Sequence, residues 1–356
     1  MSSENRGMIE NVREQIAKTL NASAEEIYFT SGGSEADNQA IVSAATFGAK
    51  KGKKHIISTK IEHHAVLHTL AKLEKQGFDV TLLDVNEKGE VDPKAVEDAI
   101  REDTALVSIM YANNEIGTIQ PVAEIGKIAH EKGILFHTDA VQAYGHIPIN
   151  VDEMNIDLLS ASGHKFNGPK GVGIMYIRKG VKIRSFIHGG SQERGRRAGT
   201  YNVPGIAGLG TAAKLAMENM AKRAEKEKEL RDYFIDRISA EIPYTVLNGH
   251  REDRLPNNIN FCFRFVEGES VLIMLDQAGI CASSGSACTS GAIDPSHVLR
   301  AIGLSVEMAH ESLRLTLSYE NTKEEIDTVV GELKRIVERL RGMSPAYKAF
   351  LDGEKE

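Results

Sequence analysis

Hydrophobic and polar positions along this chain switch between two periods. MIENVREQIAKTL, from Met8 to Leu20, repeats its apolar residues at helical spacing and predicts an amphipathic helix. EIYFTSGGS, from Glu26 to Ser34, predicts a strand that runs into a glycine-rich turn. HIISTKIEHHAV, DVTLLDV, TALVSIMYANNEIG, ILFHTDAVQ and IDLLSASGHK are further short apolar runs, each closing on polar or small residues. Between them, AVLHTLAKLEKQG and VAEIGKIAHEKG carry helical patterns. Strands alternating with helices predict the α/β class, a mainly parallel sheet with helices on both faces. In such sheets a ligand sits beyond the carboxyl ends of the strands, where nearly every polar cluster just quoted falls.

Beyond about residue 205 the pattern changes. AAKLAMENMAKRAEKEKELRDYFIDRI predicts one long charged helix whose alternating signs mark a solvated face. NNINFCFRF, ESVLIMLDQAGI and ESLRLTLSYENTKEEIDTVVGEL then predict a smaller α+β domain. The expected division is a large domain over residues 1–220 and a small one over 221–356.

With 356 residues the chain is long enough for both. Its net charge of −7 gives no footprint for nucleic acid. No stretch approaches the roughly 20 apolar residues of a membrane span, and MSSENRGMIENVREQ lacks an apolar signal core. Three cysteines (Cys262, Cys281 and Cys288) point to a reducing cytoplasm, where a single thiol is read for reactivity rather than for disulfides.

The polar clusters supply candidate chemistry. In TSGGSEADN, Gly32 and Gly33 let backbone approach a ligand closely, and the following helix start favours an anion; an ordinary turn with Ser34 as cap fits equally. His63 and His64 in IEHHAVLHT read as a surface pair, a metal site lacking a third ligand, or a flat ring able to stack on a cofactor. Asp139 in HTDAVQ stands among apolar or neutral neighbours, so it needs a cation or protonated nitrogen beside it, unless it makes an ordinary salt bridge. SGHKFNGPKG offers two lysines: Lys165 closes a strand after His164, and Lys170 lies in a Gly-Pro turn, where a solvated side chain is expected. A stacking histidine, a buried aspartate, an amide pair, an anion loop and a strand-end lysine together match what pyridoxal phosphate requires. Such a lysine must be partly desolvated for its amine to be neutral often enough to attack.

The ordered set SGHKFNGPKGVG, HTDAVQ, NNEIG, EHHAV, RRAGTYNVPG and SSGSACTSG resembles the cysteine desulfurases, fold-type I, class V aminotransferase-like enzymes of iron–sulfur cluster assembly. The resemblance runs from about Met8 past residue 330, and SSGSACTSG points to the housekeeping and nitrogen-fixation group. It implies a seven-stranded type of sheet and roles residue by residue. Lys165 would hold the cofactor covalently and later move protons; Asp139 would pair with the pyridinium nitrogen. Gln142 and Asn114 would bond the phenolic-oxygen side, with Asn114 also near the substrate carboxylate. His63 would stack on the ring and shuttle a proton. Gly33, Ser34, Ser162 and His164 would hold the phosphate, and Thr200 would reach the phosphate of a neighbouring subunit, making the active unit a homodimer. Arg314 would clamp the carboxylate of L-cysteine with two parallel bonds, in place of a structural salt bridge.

Cys288 lies in a small, polar, glycine-rich context that suits an exposed loop. In the family the loop cysteine takes sulfur from cysteine, leaving alanine and an enzyme persulfide that passes to a scaffold protein or another sulfur acceptor. The same thiol can touch a nascent cluster on the scaffold, a metal role for Cys288. Cys262, in INFCFRF, fits a core thiol, and Cys281, in AGICASS, is open to either reading.

Two departures from the family pattern stand out. Family members carry an N-terminal arm, with an Asp-Asn-Ala-Ala-Thr-Thr-like segment, before the helix resembling MIENVREQIAKTL; the sequence begins near that helix, which leads to an expectation of weak activity. Gln192, in HGGSQERG, stands where histidine is common. The alternatives are a selenocysteine lyase, another class V enzyme, or a cofactor-binding partner of poor activity.

Overall fold

Seven short strands build the sheet of the first of two compact units: β1 (Ile27–Thr30), β2 (His55–Thr59), β3 (Asp79–Leu83), β4 (Thr104–Ser108), β5 (Leu135–Asp139), β6 (Leu158–Ser162) and β7 (Gly173–Ile177). The computed structural model describes residues 3–284 and 295–353. Their order is β1-β7-β6-β5-β4-β2-β3. The β2–β3, β2–β4, β4–β5 and β5–β6 pairs are parallel, and β7 runs antiparallel to both β1 and β6. Every residue of β1, β2, β4, β6 and β7 is buried, which explains their continuous apolar runs.

Among the described residues, seven α-helices precede the second sheet: α1 (Ser3–Thr19), α2 (Gly33–Ala49), α3 (His64–Glu74), α4 (Pro93–Ala99), α5 (Val122–Glu131), α6 (Val203–Glu218) and α7 (Met220–Glu241). Small residues let α2 lie close to the strands: Ala36 and Ala40 pack with Leu158, Met175 and Ile177, and Ile41, Ala44 and Ala45 pack with Ile56 and Leu106. The first unit takes in residues 1–85, 90–113 and 120–220.

The long charged helix expected from the sequence is two helices, α6 and α7, divided at Asn219. The two halves differ in composition. The face of α6 that includes Leu209, Ala213 and Ala216 is buried and apolar, whereas α7 is charged nearly throughout, and Asn219 is a poor helix former that ends the first.

The second unit takes in residues 86–89, 114–119 and 221–356. Its sheet has the order β10-β9-β8, from β8 (Thr245–Leu247), β9 (Asn258–Phe263) and, after α8 (Gly268–Gln277), α9 (His297–Ala301) and α10 (Val306–His310), β10 (Ser312–Thr316). It is followed by α11 (Lys323–Met343) and α12 (Pro345–Gly353). Ile259, Phe261 and Phe263 of β9 share one core with Leu313, Leu315, Ile326, Val330 and Phe234. Among the described residues, no helix is long and apolar enough to cross a membrane.

Candidate active site

The carboxyl ends of β5 and β6 and the turn after β1 gather most of the candidate residues of the first unit. Asp139 ends β5, is 5% exposed, and accepts the Val141 N–H at 2.9 Å on Oδ1. Burial pushes its pKa up to about 6, against the pull of that N–H and of the Lys165 ammonium. A carboxyl so placed is suited to a cation brought in by a ligand.

Lys165 follows β6 in the turn Gly163–Phe166, with a hydrogen bond between its carbonyl and His146 Nε2 at 3.0 Å and with Phe166 buried against the Tyr144 ring. Asn167 takes a left-handed conformation just after it. The expected partial desolvation of Lys165 is not found within the single chain, where the residue is exposed; it stands at the open end of the sheet. Lys170 is exposed in the following turn.

Ser162, the last residue of β6, shares a hydrogen bond with His164 Nδ1 at 3.0 Å; burial and the two nearby lysines lower the pKa of His164. Gly33 opens α2 at this corner, and a Cβ there would meet Val141 Cγ2 at 2.5 Å, so only glycine fits. Ser34 is exposed in the first turn of α2. His63 caps α3: its Nδ1 accepts the Ala65 N–H at 3.1 Å, which fixes the ring. Gln142 is half-buried just past Val141. Thr200 is exposed and lines a cleft of about 630 Å³ with Arg6, Ile9, Gln192 and Tyr201. This donor set fits pyridoxal phosphate: a buried carboxyl suited to a ring cation, a primary amine beside it, and a helix start with hydroxyl and imidazole donors for a phosphate.

Asn114 and Arg314 belong to the second unit. Arg314, on β10, donates from Nη1 to the Asn114 carbonyl at 2.9 Å. Its Nε is buried and has no hydrogen-bond partner among the described residues. Glu115, next to Asn114, accepts the Ser296 hydroxyl, and burial pushes its pKa up to about 7 against the pull of that bond and of Arg314. Cys288 lies outside the described residues. Cys262 is buried, its thiol pushed up to about 11 by burial, while Cys281 is exposed.

Sequence reasoning passed over several buried titratable groups. Asp37 lies on the buried face of α2, Glu62 between Ile61 and His63, and His137 two residues before Asp139. A carboxylate at helical spacing among Ala36, Ala40, Ile41 and Ala44 was the available signal for Asp37. Glu193 was also missed. It has a positive φ of 46°, accepts two hydrogen bonds from Arg13 and one from the Phe29 N–H, and with Arg13 forms an ion pair whose side chains are each 2% exposed. Arg197, in the same stretch, pairs with Glu35 of α2 at 2.9 Å, so the segment leading to Thr200 is tied down at two points.

Residues 1–329 match the family described as Aminotransferase class-V. A protein of Dictyoglomus turgidum named Cysteine desulfurase IscS is 56% identical over 97% of this chain and 87% of its own length. One of the same name from Methanosarcina thermophila is 56% identical over 94% of this chain and 82% of its own. Among solved structures, a NifS-like protein superposes with a TM-score of 0.88 at 39% identity, covering 94% of this chain and 88% of that one. A structure titled SspA in complex with cysteine superposes with a TM-score of 0.79 at 39% identity, covering 90% and 89%. The chain belongs to the class V aminotransferase family, among its pyridoxal-phosphate-dependent cysteine desulfurases.

Proposed function

We propose that this cysteine desulfurase removes sulfur from L-cysteine with Lys165, His63 and Cys288 as catalytic residues, yielding L-alanine and a persulfide on Cys288. The observation that carries the site assignment is Asp139: a carboxyl 5% exposed at the end of β5, with a raised pKa and the Lys165 ammonium acting on it. When bound, pyridoxal phosphate withdraws electrons from the amino-acid Cα and so loosens the bond to sulfur.

The rest falls to the chain. Asp139 holds the ring nitrogen's charge, and Lys165 anchors the cofactor and moves a proton at its amine. His63, ring fixed through Nδ1, stacks on the cofactor ring and exchanges a proton with the substrate. Asn114 and Gln142 bond the phenolic oxygen; Gly33, Ser34, Ser162 and His164 hold the phosphate. Arg314 binds the substrate carboxylate. The Cys288 thiolate then takes the substrate sulfur: an S–S bond forms, the C–S bond breaks, and the electron pair left on carbon is protonated to give alanine. The large domain, residues 1–220 apart from the segments 86–89 and 114–119 that cluster with the rest, thus carries most of the cofactor's partners, and the small one, 221–356, the carboxylate arginine and the persulfide cysteine.

The exposed Thr200 beside a cleft of about 630 Å³ supports a homodimer in which it reaches the partner's phosphate. The persulfide passes to an iron–sulfur scaffold or another acceptor in the cytoplasm, where Cys288 also contacts the nascent cluster. Supplying purified protein with pyridoxal phosphate, L-cysteine and a reductant tests this reading: alanine and sulfide are expected. Cys288→Ala is expected to keep the cofactor and lose sulfide release. Turnover that survives Cys288→Ala but vanishes in Cys281→Ala assigns the sulfur to Cys281 instead.

A further inference from the structure

Behind Asp139, on the side facing α2, lies a buried polar chain. His137 is fully buried, with Nδ1 2.8 Å from Ser108 Oγ and Nε2 3.0 Å from Ser160 Oγ. Both ring nitrogens are therefore engaged. Asp37 is 1% exposed and its Oδ1 lies 3.6 Å from His137 Nε2, beyond hydrogen-bond reach; that oxygen has no hydrogen-bond partner among the described residues. The Ser160 hydroxyl favours the ionised form of Asp37, against burial and the charge of Asp139, which both raise its pKa. One set of directions satisfies the neutral imidazole: Ser108 donates to His137 Nδ1 and His137 Nε2–H donates to Ser160, which leaves the Ser160 hydrogen able to turn toward Asp37.

The titratable groups acting on Asp37 are Asp139 and His137 from β5 and Glu62 from the turn after β2; β4 and β6 present the hydroxyls of Ser108 and Ser160. Burial lowers the His137 pKa to about 3, so the imidazole is neutral and gives Asp37 no cation. Burial raises Glu62 to about 8. Two buried carboxyls that feel each other do not both ionise, and the better-served one takes the charge. Asp139 has the Val141 N–H and the Lys165 ammonium; Asp37 has one hydroxyl.

We propose that Asp37 is a positioning residue that holds a proton in the folded protein and thereby keeps the negative charge on Asp139, the carboxyl that faces the cofactor ring. The inference rests on Asp139 being that partner, yet the protonation itself is measurable without cofactor. In cofactor-free protein labelled with ¹³C-aspartate, at about pH 8, infrared difference spectra are expected to show a protonated carboxyl band. The band persists in Asp139→Asn and disappears in Asp37→Asn, with Asp37→Ser serving if the amide variant does not fold.

Because a raised carboxyl binds its proton more tightly folded than unfolded, its contribution to stability declines as pH rises above the unfolded value. The unfolding constant of Asp37→Asn relative to the parent is therefore expected to fall at least about tenfold between about pH 5 and about pH 8. Cofactor affinity of Asp37→Asn stays within about threefold of the parent, since the charge at Asp139 is kept. No such band in the parent, or a band that survives loss of Asp37, overturns the proposal. So does a stability difference that is flat or opposite in pH, the outcome for a hydrogen-bonding role alone. A cofactor affinity lowered more than about tenfold would overturn it as well, by showing that the ring needs a charge on Asp37. Failure of the parent to bind pyridoxal phosphate, with band and stability as expected, counts against the site assignment and not against the protonation.

Discussion

Ser283 and Arg314 exchange two backbone hydrogen bonds: the Ser283 N–H donates to the Arg314 carbonyl at 3.0 Å, and the Arg314 N–H to the Ser283 carbonyl at 2.7 Å. The residue proposed to grip the substrate carboxylate thus shares a short ladder with the chain just ahead of the segment that contains Cys288.

Arg314→Lys keeps that ladder and the charge but loses the planar fork. With Nη1 committed to Asn114, the guanidinium still has donors for a carboxylate, which a single ammonium does not replace. The expected result is a rise in KM for cysteine of about tenfold to a hundredfold, matching the ~1.5–3 kcal/mol of hydrogen bonds to charged groups, with cofactor affinity nearly unchanged. Steady-state kinetics and a cofactor titration check it; an unmoved KM leaves Arg314 a structural residue.

Lys165→Ala is expected to abolish covalent attachment of pyridoxal phosphate, and Lys170→Ala to leave it intact. The Lys165 ammonium pulls on the Asp139 carboxyl, and Lys170 lies five residues further on, in the turn before β7. Borohydride reduction followed by peptide mass mapping reads the site, and a reduced adduct on Lys170 in the parent refutes the assignment.

As the proposed partner of the ring nitrogen, Asp139 is expected to set a pH limit on the cofactor. Its folded pKa is raised to about 6, so below that value it is neutral and attracts a pyridinium less. Cofactor affinity should therefore weaken as pH falls through about 6, and Asp139→Asn should flatten the dependence while lowering affinity throughout. In the cofactor-free protein the same raised pKa has the opposite effect: stability contributed by the protonated form is fullest below the unfolded value and is lost as pH rises through the folded one. Fluorescence titrations and denaturant midpoints across that range measure both slopes.

Arg13 and Glu193 form a pair that is costly to break. Glu193→Gln leaves a buried guanidinium partly uncompensated and is expected to destabilise by about 3–5 kcal/mol. The double variant Arg13→Leu with Glu193→Leu should recover part of that loss. Urea midpoints report it, and an exposed-type loss below about 1 kcal/mol for Glu193→Gln would rule out the buried-pair account.

The strands whose ends carry polar clusters were legible. TSGG, EHHAV, HTDAVQ and SGHK each follow a run of apolar residues, and each stands at the carboxyl end of its strand. β7 was not among the expected strands. GIMYI is wholly buried and follows directly on the glycine-rich stretch NGPKGV, so it merges with the turn before it. Asp37, Glu62 and His137 escaped for a related reason: their importance lies in which hydroxyls and carboxyls surround them, and those come from strands far apart in sequence. The break at Asn219 was hidden because both halves are good helix formers.

The reversed strand β7 bears on how the protein is made. Thr30 at the end of β1 and Ser162 at the end of β6 both pair with Gly173, the first residue of β7. A Cβ at Gly173 would come within 2.6 Å of Gly32 Cα and 2.7 Å of the Ala161 carbonyl, so the three strand ends meet with no room for a side chain. Because β7 is antiparallel to both neighbours, it turns β1 to run alongside β6 and brings Gly33 to the same end as Ser162. On a ribosome, β1 and α2 emerge long before β7, and the proposed phosphate site at Gly33 and Ser162 is not assembled until the later strand is in place. A chain truncated before Gly173 is therefore expected to leave the ribosome without that site.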